Sequence, residues 1–340
     1  MVIQEEAYKD LELCVGPENI SREPAVLDGY AWQYLADGGW VERPVAVVLP
    51  ASTEEVQAVV KACNRHSLKF KPFSTGWGVW GGCSEDNVVQ IDLRRMNRII
   101  EIDAKNMRAV IEPYVCGAQL QAEAWKVGLN TNIIGAGPNC SPLAAATSVV
   151  GLGHSGTLRA TTPALVFRRG GSFHTGMSRN DSVDMQVRWT DIAADRKLSD
   201  YIPRGKVLDD MGDTAYCLTF ENGTWAHSEQ TFQYDPRNKE QVEYMRTVVL
   251  DLAVQACKLN VEPYCAWEPR ERTFLSPLCG NTNEYQKQIS KMMDPNEAAD
   301  TKFYTKEEPM DMEHLSEGLR QQIEEIQKKY TWTQDGPPKR

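Results

Sequence analysis

The sequence predicts an α+β fold in more than one domain. Over residues 45–128, strand-like and helix-like segments follow the order β, α, β, loop, β, β, β, α, which suits a mixed sheet with packed helices. A long helix with clear end signals stands far downstream. The length of 340 residues, 41% of them hydrophobic, is enough for a large core.

V-A-V-V-L-P (Val45 to Pro50) reads as a buried strand, β-branched and stopped by proline. S-T-E-E-V-Q-A-V-V-K-A-C then offers a capping box, Ser52 with Glu55, and apolar residues at 56, 59, 60 and 63 on one helical face. L-K-F-K-P-F returns as a second short strand and delivers the chain into S-T-G-W-G-V-W-G-G. V-V-Q-I-D-L alternates from Val89 through Ile91 to Leu93, and R-I-I-E-I-D and R-A-V-I-E-P continue as strands. A helix over Ala118 to Val127 is closed by Gly128 as its C′ residue.

Residues 130–176 are rich in small side chains, which let backbone come close to another element or a ligand. From 177 to 213 the composition turns polar and acidic, which sets the expected domain boundary at 176/177. Beyond it, a helix opens at Asp235 or Asn238 and runs to about Lys258, with apolar residues at 242, 245, 248, 249 and 252. A further helix, 284–293, halts at Asp294-Pro295. The tail, 305–340, carries Leu315, Leu319, Ile323 and Ile326 on one face and reads as a docking or partner helix.

Composition excludes several classes. A net charge of −10 and a pI near 5.2 argue against a nucleic-acid partner, since phosphate neutralisation needs clustered Lys and Arg. No run of about 18 apolar residues suggests a membrane span, and the first residues lack a secretory pattern, so the expected localisation is cytoplasmic. Nine cysteines are scattered without C-x-x-C or a tight Cys/His cluster, which predicts buried thiols and no metal site.

F-S-T-G-W-G-V-W-G-G, Phe73 to Gly82, carries the chemistry. Consecutive backbone N–H groups with no Cβ in the way form a concave anion site. No lysine sits in it and no helix follows, so it is neither a Walker loop nor a Rossmann fingerprint. Two readings stand on these residues alone: a pyrophosphate cradle, or a glycine-rich turn with tryptophans packed as core.

The context separates them. R-P-V-A-V-V-L-P-A-S-T-E-E-V, the glycine segment, I-D-L-R-R-M-N and E-P-Y-V-C-G-A-Q-L occur in that order, and the stretch from about 40 to 130 resembles the FAD-binding domain of the vanillyl-alcohol oxidase and p-cresol methylhydroxylase family. Downstream, Y-D-P-R-N-K-E-Q-V and the helix ending in M-M-D-P-N resemble the closing part of that family's cap domain. The resemblance implies a PCMH-type FAD-binding domain over 1–176, built of two α+β subdomains. A reduced cap or substrate domain over 177–304 and the tail would follow. Ser74, Thr75, Gly76, Trp77 and Gly78, continued by Gly81 and Gly82, would wrap the FAD pyrophosphate. Pro138, Asn139, Cys140 and Ser141 would lie near the flavin ring. His154, in G-L-G-H-S-G, is a candidate ligand contact beside the alternative of a hydrogen-bonded structural histidine.

Trp77 stands about where some relatives carry a flavin-attaching His, so attachment through this loop is not expected. The family oxidises a C–H next to an oxygen or phenol ring, passing hydride to the flavin, and Tyr264, Arg270 and Arg272 are candidate donors to a developing phenolate or alkoxide. The competing reading of that charge-dense run is a solvated loop. The chain departs from the family between Gly151 and 176 and in the cap, both shorter here. The function expected is therefore an FAD-dependent oxidoreductase of a small alcohol, phenol or hydroxy acid, or the flavin subunit of one. Its partners would be a small-molecule substrate and an oligomeric or electron-accepting protein. The alternative is a shortened, non-catalytic relative serving as an assembly or regulatory subunit.

Overall fold

The structure is a computed structural model. It describes residues 2–31, 42–75, 82–131, 133–134, 138–143, 152–153, 175–179, 214–220, 225–231, 239–258, 262–263, 269–278, 280–301 and 306–331. Helices and sheets are mixed, as an α+β fold requires, and the chain divides into two compact units. The first comprises Met1–Tyr34, Trp40–Phe167 and Gln288–Phe303; the second comprises Leu35–Gly39, Arg168–Lys287 and Tyr304–Arg340.

The first unit is built on a four-stranded sheet. Helix α1 (Glu5–Val15) buries Ala7, Leu11 and Val15, spaced four apart on one face, and ends at Gly16 with φ of +85°. Strand β1 (Ile20–Ser21) pairs antiparallel with β2 (Ala46–Val48), and the short helix α2 (Pro24–Asp28) lies between them in sequence. Helix α3 (Thr53–Arg65) connects β2 to β3 (Lys69–Phe73), and β4 (Val88–Asp92) inserts between those two strands, parallel to both.

The capping box holds α3 at its start. Ser52 Oγ accepts from the Glu55 N–H at 3.2 Å, while the Glu55 carboxylate accepts from the Ala51 N–H at 2.7 Å, one residue ahead of the expected reciprocal arm. Val59, Ala62 and Cys63 of α3 join Leu11, Val48, Leu68, Val89 and Ile91 in one core. V-V-Q-I-D-L reads as an alternating strand, yet all five residues of β4 are buried, because a central parallel strand is covered on both faces. Gln90 and Asp92 are buried with it.

Strands β5 (Ile99–Asp103) and β6 (Arg108–Ile111) form a largely exposed antiparallel hairpin. Helix α4 (Gly117–Trp125) follows, and Gly128 takes the left-handed conformation, φ +74°, expected beyond its end. Strands β7 (Ile133–Ile134) and β8 (Leu152–Gly153) pair antiparallel.

The second unit holds a separate antiparallel sheet of β9 (Thr175–Arg179), β10 (Thr214–Phe220), β11 (Trp225–Thr231) and β12 (Glu262–Pro263), in the order β10-β11-β9-β12. Its helices are α5 (Lys239–Lys258), α6 (Pro269–Leu278) and α8 (Glu317–Tyr330). Helix α7 (Thr282–Met293) contains the division between the units. Leu319, Ile323 and Ile326 of α8 pack with Leu250 and Val254 of α5 and with Phe274 and Leu275 of α6. The tail helix thus docks on its own chain. Of the two readings of its apolar stripe, a docking helix or a partner helix, the packing carries the first, because α5 and α6 supply a matching apolar face.

Candidate functional site

Parallel strands β3 and β4 end side by side, with Phe73 registered against Asp92 and the Leu93 N–H donating to the Phe73 carbonyl at 2.9 Å. The glycine-rich segment leaves from that edge. Ligands of sheets with parallel strands bind outside the carboxyl ends of the strands, which makes this edge the place to look.

Two predicted contact segments meet here. The Ser141 N–H donates to Thr75 Oγ1 at 2.9 Å, across 66 positions of sequence, and leaves the threonine O–H available as a donor. Ser74 Oγ donates to the Pro113 carbonyl at 2.6 Å, tying the start of the glycine segment to the E-P-Y stretch. The turn at Pro138–Ser141 is fixed in addition by α4: the Gly117 and Ala118 N–H groups donate to the carbonyls of Cys140 and Pro138, both at 2.7 Å. Those two amides of α4 are thereby satisfied inside the protein, and the Thr75 O–H is a donor that the described part of the glycine segment offers to an anion.

Of the remaining predicted positions, Gly82 and Cys140 are buried, Ser141 is 1% exposed, and Pro138 and Asn139 face solvent. Gly76, Trp77, Gly78, Gly81, His154 and Tyr264 lie outside the described residues. Strand β8 ends at Gly153, next to His154, and β7 ends just before G-A-G-P-N-C-S, so their pairing joins the approaches to both.

Arg270 and Arg272 sit in the second unit. Both are buried in α6, and the competing reading of a solvated loop does not hold for them. The Arg270 guanidinium donates to Glu243 of α5 at 2.6 Å and the Arg272 guanidinium donates to the Lys306 carbonyl.

A cluster beside the glycine segment escaped sequence reading. The Asp92 carboxylate, wholly buried at the end of β4, accepts from the Tyr30 hydroxyl at 2.5 Å, from Arg94 Nε at 2.8 Å and from the Arg94 backbone N–H at 2.9 Å. Arg94 also donates to the Tyr30 oxygen at 2.8 Å, and the Tyr30 ring meets Phe73 edge-on with centroids 5.3 Å apart. Burial, then the bond to Asp92, pushes the Tyr30 hydroxyl far above its usual value, so it remains a donor. Its bond to Asp92 likewise raises the Arg94 guanidinium. Burial raises the Tyr114 hydroxyl, with the Asp92 charge adding to the effect. The signal was present in I-D-L-R: a carboxylate in an apolar strand followed two positions later by arginine.

Residues 44–166 match the family model of the FAD binding domain. Over 117 residues, 34% of this chain and 22% of the relative, the sequence is 31% identical to the 4-cresol dehydrogenase [hydroxylating] flavoprotein subunit of Pseudomonas putida. Over 115 residues, 34% of this chain and 24% of the relative, it is 28% identical to the glycolate oxidase subunit GlcD of Bacillus subtilis. The match therefore spans about a quarter of the length of these curated relatives.

The fold extends the likeness beyond that segment. A crystal structure of p-cresol methylhydroxylase with substrate bound superposes with a TM-score of 0.58 at 13% identity, covering 90% of this chain and 98% of that one. The 4-ethylphenol oxidase of Gulosibacter chungangensis superposes at 0.56, with 12% identity, 91% of this chain and 98% of that one.

The residues present fit FAD. A pyrophosphate needs N–H and O–H donors at close range, and the glycine segment opens with a Thr75 whose hydroxyl is already positioned by Ser141, next to a Ser74 anchored on the Pro113 carbonyl.

Proposed function

We propose that this chain is an FAD-dependent oxidoreductase, or the flavin-carrying subunit of one, of the vanillyl-alcohol oxidase and p-cresol methylhydroxylase kind, acting on a small alcohol, phenol or hydroxy acid. The observation that carries the reading is the Thr75–Ser141 hydrogen bond, which joins the two segments assigned to opposite parts of one cofactor. Bound FAD supplies a hydride acceptor. Ser74, Thr75, Gly76, Trp77, Gly78, Gly81 and Gly82 hold its pyrophosphate, and Pro138 to Ser141 line the approach to its ring. With Trp77 in the loop, the cofactor is held there without a covalent bond. The names of the relatives, a glycolate oxidase subunit and a cresol dehydrogenase subunit, support the substrate class and an assembly with an electron-accepting partner.

The flavin domain is assigned to residues 1–176, a reduced substrate domain to 177–304, whose returning end at residues 298–300 pairs with β3 of the first unit, and the tail to 305–340. Three side chains of the second region are assigned to orienting substrate and stabilising a developing oxyanion: Tyr264, Arg270 and Arg272. Tyr264 is the first to test, since both arginines already hold partners within the second unit. No helix among the described residues is long and apolar enough to cross a membrane. A reducing, cytoplasmic setting is assigned on the scatter of the nine cysteines along the sequence.

The test mixes FAD-loaded protein anaerobically with panels of alcohols, phenols and 2-hydroxy acids and follows the visible flavin absorbance. Bleaching by one of these classes is expected, with Tyr264→Phe slowing it; no bleaching by any of them contradicts the reading. Gly76→Val should abolish FAD uptake while far-ultraviolet circular dichroism stays native, and unchanged flavin content would remove the pyrophosphate assignment.

A further inference from the structure

Both ends of the glycine-rich segment converge on one buried carboxylate that comes from the far end of the sequence. Asp300 accepts from the Ser84 N–H at 2.7 Å and from the Ser84 hydroxyl, and its Oδ2 lies 3.5 Å from Lys71 Nζ. Lys71 lies in β3, three residues before Ser74; Ser84 follows Gly82 by two. Lys71 and Asp300 are each 4% exposed, so water does not substitute for either partner.

A second relay crosses the same gap. Gln90 of β4, fully buried, donates through Nε2 to the Lys71 carbonyl at 3.1 Å and accepts from the Cys83 thiol at 3.3 Å. Burial, and then the Asp300 charge, pushes the Cys83 thiol up to about 12, which keeps it a donor.

The segment that brings Asp300 is itself seated on the sheet. Phe70 donates its N–H to the Ala298 carbonyl at 2.8 Å and accepts from the Asp300 N–H at 2.9 Å, so residues 298–300 extend the sheet beyond β3. Asp294 caps the turn before it, accepting from the Ala298 and Ala299 N–H groups at 3.1 and 2.8 Å. Asn296 adds a contact to Asn64 at 2.7 Å that touches neither end of the glycine segment.

We infer that Asp300 is a positioning residue for the cofactor: it fixes the separation of the two ends of the glycine-rich segment and makes FAD affinity depend on the strand that returns after the second unit. The physical reason is preorganisation. Backbone donors aimed at a phosphate act at full strength only when their spacing is set before the ligand arrives. Burying Asp300 against Lys71 carries a desolvation cost that offsets much of their attraction, so the pair is weak evidence for stabilisation alone and its place at both ends of the segment carries the positioning role.

This inference rests on the FAD reading, and its test separates the two. Asp300→Asn keeps the shape and removes the charge. It should weaken FAD binding about tenfold, the size of coupling found between contacting groups. Backbone hydrogen exchange in the protein without FAD should quicken at both 69–75 and 82–86 and stay as in the wild type along α5 and α8. Asn296→Ala, on the same returning segment, should leave both readouts unchanged. A purely stabilising role would lower the unfolding midpoint of Asp300→Asn with FAD affinity intact, and that result overturns the inference. If the wild type takes up no FAD, the function proposal fails, while the exchange measurement still decides whether Asp300 ties the two ends. Should Asp300→Asn not fold, Ser84→Ala, which removes one of the same bonds, carries the test with a smaller effect of the same sign.

Discussion

The two units use buried charge differently. In the first, Lys71, Gln90, Asp92 and Asp300 lie on or beside β3 and β4 and gather around the ends of one segment, the glycine-rich stretch. In the second, Arg270, Glu271 and Arg272 occupy consecutive positions at the start of α6, where Arg270 reaches α5 and Arg272 the strand of chain at Lys306, while Phe274, Leu275, Leu319 and Ile323 fill the centre. One arrangement concentrates polar groups where a ligand would bind; the other staples helices around an apolar core. Buried polar groups that converge on the two ends of a glycine-rich segment point to preorganisation, whereas those spread between helices point to stability.

The largest effect expected is in the apolar core. Phe274→Ala removes a fully buried ring and should cost about 3–5 kcal/mol in denaturant unfolding while FAD affinity under native conditions stays unchanged. A loss of affinity would erase the contrast between the units. Next comes the polar cluster of the first unit. Asp92→Asn should cost about 1.5–3 kcal/mol, the range for hydrogen bonds to a charged group. It should also lower the pH at which Tyr30 ionises, seen as earlier tyrosinate absorbance in alkaline titration, since the Asp92 charge contributes to holding that proton.

Smaller effects sharpen the picture. Ser52→Ala removes the cap of α3 and should cost about 1 kcal/mol with no effect on FAD. Arg98 donates to the buried Glu112 carboxylate at 2.6 Å, and that bond holds Glu112 below its ordinary value of 4.5. A depressed carboxylate stabilises the fold above its ordinary value and loses that contribution as pH falls through the lowered one. Arg98→Ala should therefore be less stable than wild type at neutral pH, with the gap closing in acid. A gap that persists in acid would show that Arg98 acts through packing.

Much of this was legible in the sequence because local rules suffice for it. The cap at Ser52, the end of α4 at Gly128 and the apolar stripe of α8 each follow from neighbours in the chain. The glycine segment and P-N-C-S could be assigned to one ligand only through the resemblance, and the Thr75–Ser141 bond gives that pairing a physical form. What remained hidden depends on contacts across long separations. No periodicity announces that Asp300 meets Ser84 or that Tyr30 meets Asp92, since burial of a charge becomes visible only once its partners are in place. The same limit left α8 as either a docking or a partner helix, because a stripe of leucines and isoleucines does not say whether its cover comes from the same chain.

The most direct measurement is an equilibrium titration of the purified, FAD-free protein with FAD, followed by visible absorbance and fluorescence. One FAD bound per chain, released on denaturation and prevented by Gly76→Val, is the predicted result. A folded protein that takes up no FAD, or that binds it equally well with valine at position 76, would contradict the account.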